Sequence, residues 1–131
     1  MKPNSKEPIP SESHINRVLL IEDEGEMSLV LSLVLNKENM QILHAKTLAE
    51  AENFLENRGP DLILLDNRLP DGFGLDFVRY LRANYPTVKI IMISGLDKAS
   101  ENAALEMGAV ALLARPFKKE TLLRSVSQLL N

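Results

Sequence analysis

The stretch Asp61 to Asp76, reading DLILLDNRLPDGFGLD, limits more than any other how this chain can fold. Leu62 to Leu65 form an unbroken apolar run that ends directly in Asp66. A strand with one face in water alternates apolar and polar residues. An unbroken run suits a strand covered on both faces, as in a parallel sheet sandwiched by helices. Pro70, Gly72 and Gly74 follow closely and read as a loop, so Asp66 should close the strand. Open α/β sheets place their chemistry at the carboxyl ends of strands, which makes Asp66 the leading candidate for a reactive carboxylate.

The rest of the chain repeats this rhythm. Val18 to Ile21 is a second continuous run, ending in Glu22-Asp23-Glu24, and a helix is expected from about Glu26 to Lys37. Met40 to Ala45 reads as a shorter strand. Thr47-Leu48-Ala49-Glu50 has the form of a capping box opening a helix that Gly59-Pro60 ends. After the central loop, Gly74 to Tyr85 reads as a helix stopped by Pro86, and Val88 to Ile93 as a buried strand leading to Ser94-Gly95. Ala99 to Met107 is a helix closed by Gly108, Val110 to Ala114 a strand before Arg115-Pro116, and Lys119 to Leu130 a final amphipathic helix. Strands alternating with helices in this way imply right-handed βαβ units and a doubly wound five-stranded parallel sheet.

At 131 residues the chain is the size of one domain with a genuine core. Residues 1–15, rich in Pro, Ser and Glu, read as a disordered tail or linker, leaving 16–131 as the domain. The sequence contains no cysteine, which excludes disulfides and thiolate metal sites and allows a reducing cytoplasm, the expected location. A net charge of −3 argues against broad binding to nucleic acid or anionic membrane. No apolar run approaches the length of a membrane span.

The chemistry-bearing residues fall at strand ends: Glu22 and Asp23 after the first, Asp66 after the third, Ser94 after the fourth and Arg115 after the fifth. Adjacent parallel strands are about 4.8 Å apart, so such side chains can converge on one pocket. Clustered carboxylates repel unless a cation lies among them, and hard oxygen donors suit Mg²⁺. With Ser94 as hydrogen-bond donor and Arg115 as a fixed positive charge, the pocket suits a phosphoryl group on Asp66.

The segments VLLIEDE, DLILLDNRLPDGFGLD, IIMISG and GAVALLARPF, in this order, resemble the receiver domain of two-component response regulators over Arg17 to Leu130. That resemblance, to chemotaxis-regulator-like proteins, implies a flavodoxin-like (βα)5 fold with strand order 2-1-3-4-5. It implies that Asp66 accepts a phosphoryl group from a histidine kinase or phosphotransfer protein. It makes Asp23 a direct Mg²⁺ ligand, Glu22 a ligand through water, the Arg68 backbone carbonyl a further ligand, and Ser94 the switch hydroxyl. The family normally carries Lys at the position of Arg115 and Tyr or Phe at that of Leu112. Arg68 and Leu96, each second after a site residue, are expected to shield the pocket and slow self-dephosphorylation.

Two other readings compete. A pseudo-receiver would act as a phosphorylation-independent interaction module, motivated by Arg115 and Leu112. A hydrolase using Asp66 would want a second Asp where Arg68 stands. The domain is expected to catalyse its own phosphorylation and dephosphorylation without an external substrate turned over. His14 and His44 lack a metal-ligand pattern and read as structural or solvated. The Leu-rich final helix leaves room for a homodimer or an output partner.

Overall fold

Continuous apolar runs do form the centre of a parallel sheet. In the computed structural model, residues 15–25, 29, 32–33, 40–57, 59–94, 97–109, 111–115 and 117–130 are described. The strands are β1 (Asn16–Ile21), β2 (Met40–Ala45), β3 (Leu62–Asp66), β4 (Arg68–Leu69), β5 (Gly72–Phe73), β6 (Lys89–Ser94) and β7 (Ala111–Ala114). The helices are α1 (Leu48–Asn57), α2 (Gly74–Asn84), α3 (Lys98–Met107) and α4 (Lys119–Leu130). The main sheet has order β2-β1-β3-β6-β7 with every pairing parallel. This is the expected 2-1-3-4-5 order once the small β4-β5 hairpin is set aside.

Side chains on a strand alternate between faces, and the two faces of this sheet bury different helices. Leu19, Ile21, Ile63, Leu65, Ile90 and Met92 share a core with Ala51 and Leu55 of α1, Phe77, Val78 and Leu81 of α2, and Ala104 of α3. Val18, Leu20, Leu62, Leu64, Ile91 and Ile93 share the opposite core with Leu122 and Val126 of α4. Leu62 to Leu65 are fully buried, which is what the unbroken run demands. Each such side chain contributes roughly 1.5–3 kcal/mol relative to exposure.

The expected helix over Glu26 to Lys37 lies largely outside the described residues. Leu29, Ser32 and Leu33 within that region are helical, as is Gly25 just before it. The expected tail, up to residue 14, also lies outside them, and Ile15 is exposed. Boundaries move little elsewhere. The fourth main strand begins at Lys89 and takes in Ser94, one residue later at each end than its apolar pattern suggests. Asp97 accepts a hydrogen bond from the Ser100 N–H at 2.8 Å and so starts α3 at Lys98.

The loop after Asp66 is more ordered than a Pro- and Gly-rich sequence suggests. Arg68 and Leu69 pair antiparallel with Phe73 and Gly72. At its tip, Asp71 reaches across to the start of α1, where its carboxylate accepts from Leu48 N–H at 2.9 Å and Ala49 N–H at 3.1 Å. Thr47 Oγ1 caps the same helix by accepting from Glu50 N–H at 3.1 Å, while Glu50 reaches back to Lys46 N–H at 2.8 Å. Half of the expected capping box therefore forms, since Glu50 reaches one residue past Thr47, and Asp71 adds a long-range cap.

The Leu48 N–H, and then that of Ala49, hold the Asp71 carboxyl below its ordinary value. A depressed folded value means the stabilisation is present above the unfolded value and is lost as pH falls through the folded one. Asp71→Ala is expected to cost about 1 kcal/mol at neutral pH in urea denaturation, as other helix caps do. The gap to wild type should close in acid, below the ordinary carboxylate range.

Candidate functional site

Asp66, the last residue of β3, stands at the carboxyl edge of the sheet between β1 and β6. Both carboxylate oxygens are engaged. Oδ1 accepts from the Asn67 N–H at 2.7 Å, and Oδ2 lies 3.1 Å from Nη2 of Arg115, which donates to it. The Asp66 side chain is 16% exposed and that of Arg115 34%, so the pair lies within reach of solvent.

Arg115 follows β7, and β6 lies between β7 and β3. Its side chain therefore spans about two strand spacings, roughly 10 Å, to meet Asp66. A long planar guanidinium suits that reach and can fork onto phosphate oxygens as well as onto carboxylate.

The main chain behind Asp66 is held by α2. Gly74 N–H donates to the Asn67 carbonyl at 2.7 Å, and Leu75 N–H to Asn67 Oδ1 at 2.9 Å. A Cβ on Gly74 would stand 2.2 Å from the Asp66 carbonyl oxygen, so glycine is what allows the helix start to approach the Asp66 backbone. Asn67 went unremarked in the sequence, yet it ties Asp66 to α2 through both its main chain and its side chain.

Glu22 lies just beyond β1, its N–H donating to the Ala45 carbonyl of the neighbouring strand at 3.1 Å. It is 1% exposed and is the one buried charged residue among those described. Burial pushes its carboxyl above the ordinary value. The His44 ring and the Arg115 guanidinium act against that shift, and Asp66 adds to it. Glu22 thus shares an electrostatic environment with Asp66 and Arg115, as their strand-end positions led us to expect. Asp23 is exposed beside it.

His44, which reads as structural or solvated in the sequence, is found against Glu22. Its Nε2 is 2.8 Å from the Glu22 carbonyl oxygen and 3.1 Å from Oε2. A carbonyl can only accept, so Nε2 carries a proton. That proton is directed at the carbonyl; Oε2 keeps only the 3.1 Å approach of the same ring nitrogen, and Oε1 has no hydrogen-bond partner among the described residues. The signal in the sequence was faint: His44 continues the strand-period row Met40, Ile42 with a polar residue.

Mg²⁺ fits the donors present. A buried carboxylate met by no more than one ring nitrogen is costly unless a cation or water satisfies it further, and a cation would reverse the effect of burial on Glu22. Among the described residues, no group of three or more His, Asp or Glu could by itself hold a metal. Mg²⁺ does not require one, since it keeps several waters and takes one or two carboxylates.

Ser94 ends β6, beside β3, where Asp66 lies opposite Ile93. Its side chain and all of Leu96 lie outside the described residues. Arg68 is exposed on β4. Leu112 of β7 is partly buried and packs on the core that includes Met92.

Residues 18–127 match the family model for the response regulator receiver domain. The chain belongs to this family. As a receiver it is 38% identical over 104 residues to the KDP operon transcriptional regulatory protein KdpE of Escherichia coli, covering 79% of this chain and 46% of that protein. The receiver thus spans about half the length of that relative. Its fold is similar to the receiver domain of a LuxO repressor protein from Vibrio parahaemolyticus, with a TM-score of 0.85 and 28% identity over 89% of this chain and 91% of that one. It is similar too to the BeF3-activated receiver domain of Klebsiella pneumoniae RstA, with a TM-score of 0.82 and 27% identity over 88% and 99% of the two chains. Among the described residues, no helix is long and apolar enough to cross a membrane.

Proposed function

We propose that this receiver accepts a phosphoryl group on Asp66 from a phosphohistidine of a histidine kinase or phosphotransfer protein, and that the modified domain switches binding to an output partner. The observation carrying this reading is the Asp66 carboxylate held at 3.1 Å by Arg115, with the buried carboxylate of Glu22 under the electrostatic influence of both. The BeF3-activated state of the RstA receiver supports it by analogy.

In the step itself, an Asp66 carboxylate oxygen attacks phosphorus. The new O–P bond forms as the N–P bond to the donor imidazole breaks, and the leaving nitrogen keeps the electron pair. Arg115, already on Asp66, is placed to transfer its donors to the incoming phosphoryl oxygens. Asn67 N–H holds Oδ1 so that one oxygen is aimed while the other is fixed. Mg²⁺, held by Asp23, Asp66 and the Arg68 carbonyl with Glu22 through water, would offset charge on the transferring group. Ser94 is assigned the switch hydroxyl, and Leu112 replaces an aromatic partner with packing. We place the domain in the cytoplasm, with no direct nucleic-acid binding of its own.

The phosphorylation-independent reading drew on Arg115 and Leu112. With Arg115 on Asp66, only Leu112 still speaks for it. Incubation with acetyl phosphate and Mg²⁺ should add about 80 Da, one phosphoryl group, and EDTA should prevent it. A chain that gains no mass would act as an interaction module instead. Arg68, exposed beside the acceptor, should shield the adduct from water. Arg68→Asn is expected to shorten its lifetime, and an unchanged or longer decay would remove that role.

A further inference from the structure

The geometry points to His44 as a positioning residue of the metal site, one that sets the main chain and carboxylate of Glu22 for a divalent cation. The inference rests on the Mg²⁺ reading above and goes beyond it, because His44 itself would bind neither metal nor phosphate.

Glu22 follows the last residue of β1, where sheet pairing stops controlling the backbone. Two contacts from β2 take over: Glu22 N–H to the Ala45 carbonyl at 3.1 Å, and His44 Nε2–H to the Glu22 carbonyl at 2.8 Å. Together they fix the peptide groups on both sides of the Glu22 Cα. The same ring nitrogen stands 3.1 Å from Oε2, so a single side chain limits both the backbone and the carboxylate direction. Oε1 has no hydrogen-bond partner among the described residues and Oε2 meets only the His44 ring nitrogen, so the carboxylate keeps unused lone pairs. A cation or its bound water can then take them.

This arrangement is what an outer-shell group provides. Ligating carboxylates are themselves oriented by hydrogen bonds, and loss of such a partner weakens metal binding by about 10–100-fold. Mg²⁺ is strict about geometry and should be sensitive to it. His44 also lines a groove of about 310 Å³ with Glu50, Asn53, Phe54 and Asn57, and its side chain is 18% exposed. Replacements there have room, and none leaves a sealed cavity.

The test is Mg²⁺ titration by calorimetry, paired with thermal melting in EDTA. His44→Leu should raise the Mg²⁺ Kd about tenfold. His44→Gln places an amide N–H the same number of bonds from Cα as Nε2 and should restore affinity to within roughly threefold of wild type. His44→Asn, equally polar but one bond shorter, should not. If Leu and Asn variants bind Mg²⁺ like wild type, the inference is wrong. If Gln is as weak as Leu, the hydrogen bond is not the cause and the inference also fails. A lower melting point in EDTA with unchanged Mg²⁺ affinity would mark a purely structural histidine. A wild-type chain that binds no Mg²⁺ would instead remove the metal reading itself, a result separable from the others.

Discussion

Gly74→Ala is expected to lower the unfolding free energy by about 3 kcal/mol, at the top of the range for overpacking a rigid site. The added Cβ would meet the Asp66 carbonyl oxygen at 2.2 Å, its carbonyl carbon at 3.1 Å and Leu65 Cγ at 3.0 Å. Two of these are backbone atoms of a central strand that pairs on both sides. They cannot give way as a flexible side chain would. Relief requires α2 to retreat, which strains the Gly74–Asn67 and Leu75–Asn67 hydrogen bonds that steady the loop after Asp66. The midpoint of thermal unfolding should fall by roughly 10 °C, and phosphorylation from acetyl phosphate should fall with it. Gly59→Ala is the control, since a Cβ at Gly59 meets nothing within 4 Å. It should stay within about 0.5 kcal/mol of wild type. Equal stability of the two variants would mean that the close approach at Gly74 has been misjudged.

Arg82→Met should cost about 2–3 kcal/mol, because it removes a clamp while keeping an apolar stem of similar length. Arg82 extends from α2 and donates to three backbone carbonyls. Nε and Nη2 reach Gly108 at 3.0 and 2.7 Å, and Nη1 reaches Pro86 at 3.0 Å and Val88 at 2.7 Å. One side chain thus joins the end of α2, the entry to β6 and the end of α3. Burial lowers its ionisation, yet a guanidinium stays charged at any working pH. Gly108 completes the clamp. Its φ of 121° suits glycine, and a Cβ there would stand 2.5 Å from Arg82 Nε. Arg82→Lys keeps the charge but loses the planar fork, so its stability should fall between wild type and Arg82→Met in urea denaturation. A Met variant as stable as wild type would show that these carbonyls find water equally well.

The sheet and the place of Asp66 at its edge were legible because their signals are local. An unbroken run from Leu62 to Leu65 says that both faces are covered, and Asp66 at its end marks the carboxyl edge of the sheet. Arg115 was legible as a strand-end charge, although its reach across β6 was not. The residues that went unread act over long distances in the chain with no period to announce them. Asp71 caps a helix 23 residues earlier, and His44 holds a residue 22 positions before it. Arg82 resembles any charged residue near a helix end until the carbonyls of Pro86, Val88 and Gly108 gather round it. Side chains that bond to backbone leave little trace in a sequence, because almost any residue can supply the carbonyl or N–H.

The central claim is that the Asp66 carboxylate accepts a phosphoryl group. The most direct measurement is intact mass after incubation with acetyl phosphate and Mg²⁺, for wild type beside Asp66→Ala. Wild type should gain about 80 Da and Asp66→Ala nothing. An equal gain in both chains, or none in a folded wild-type chain, would contradict the account.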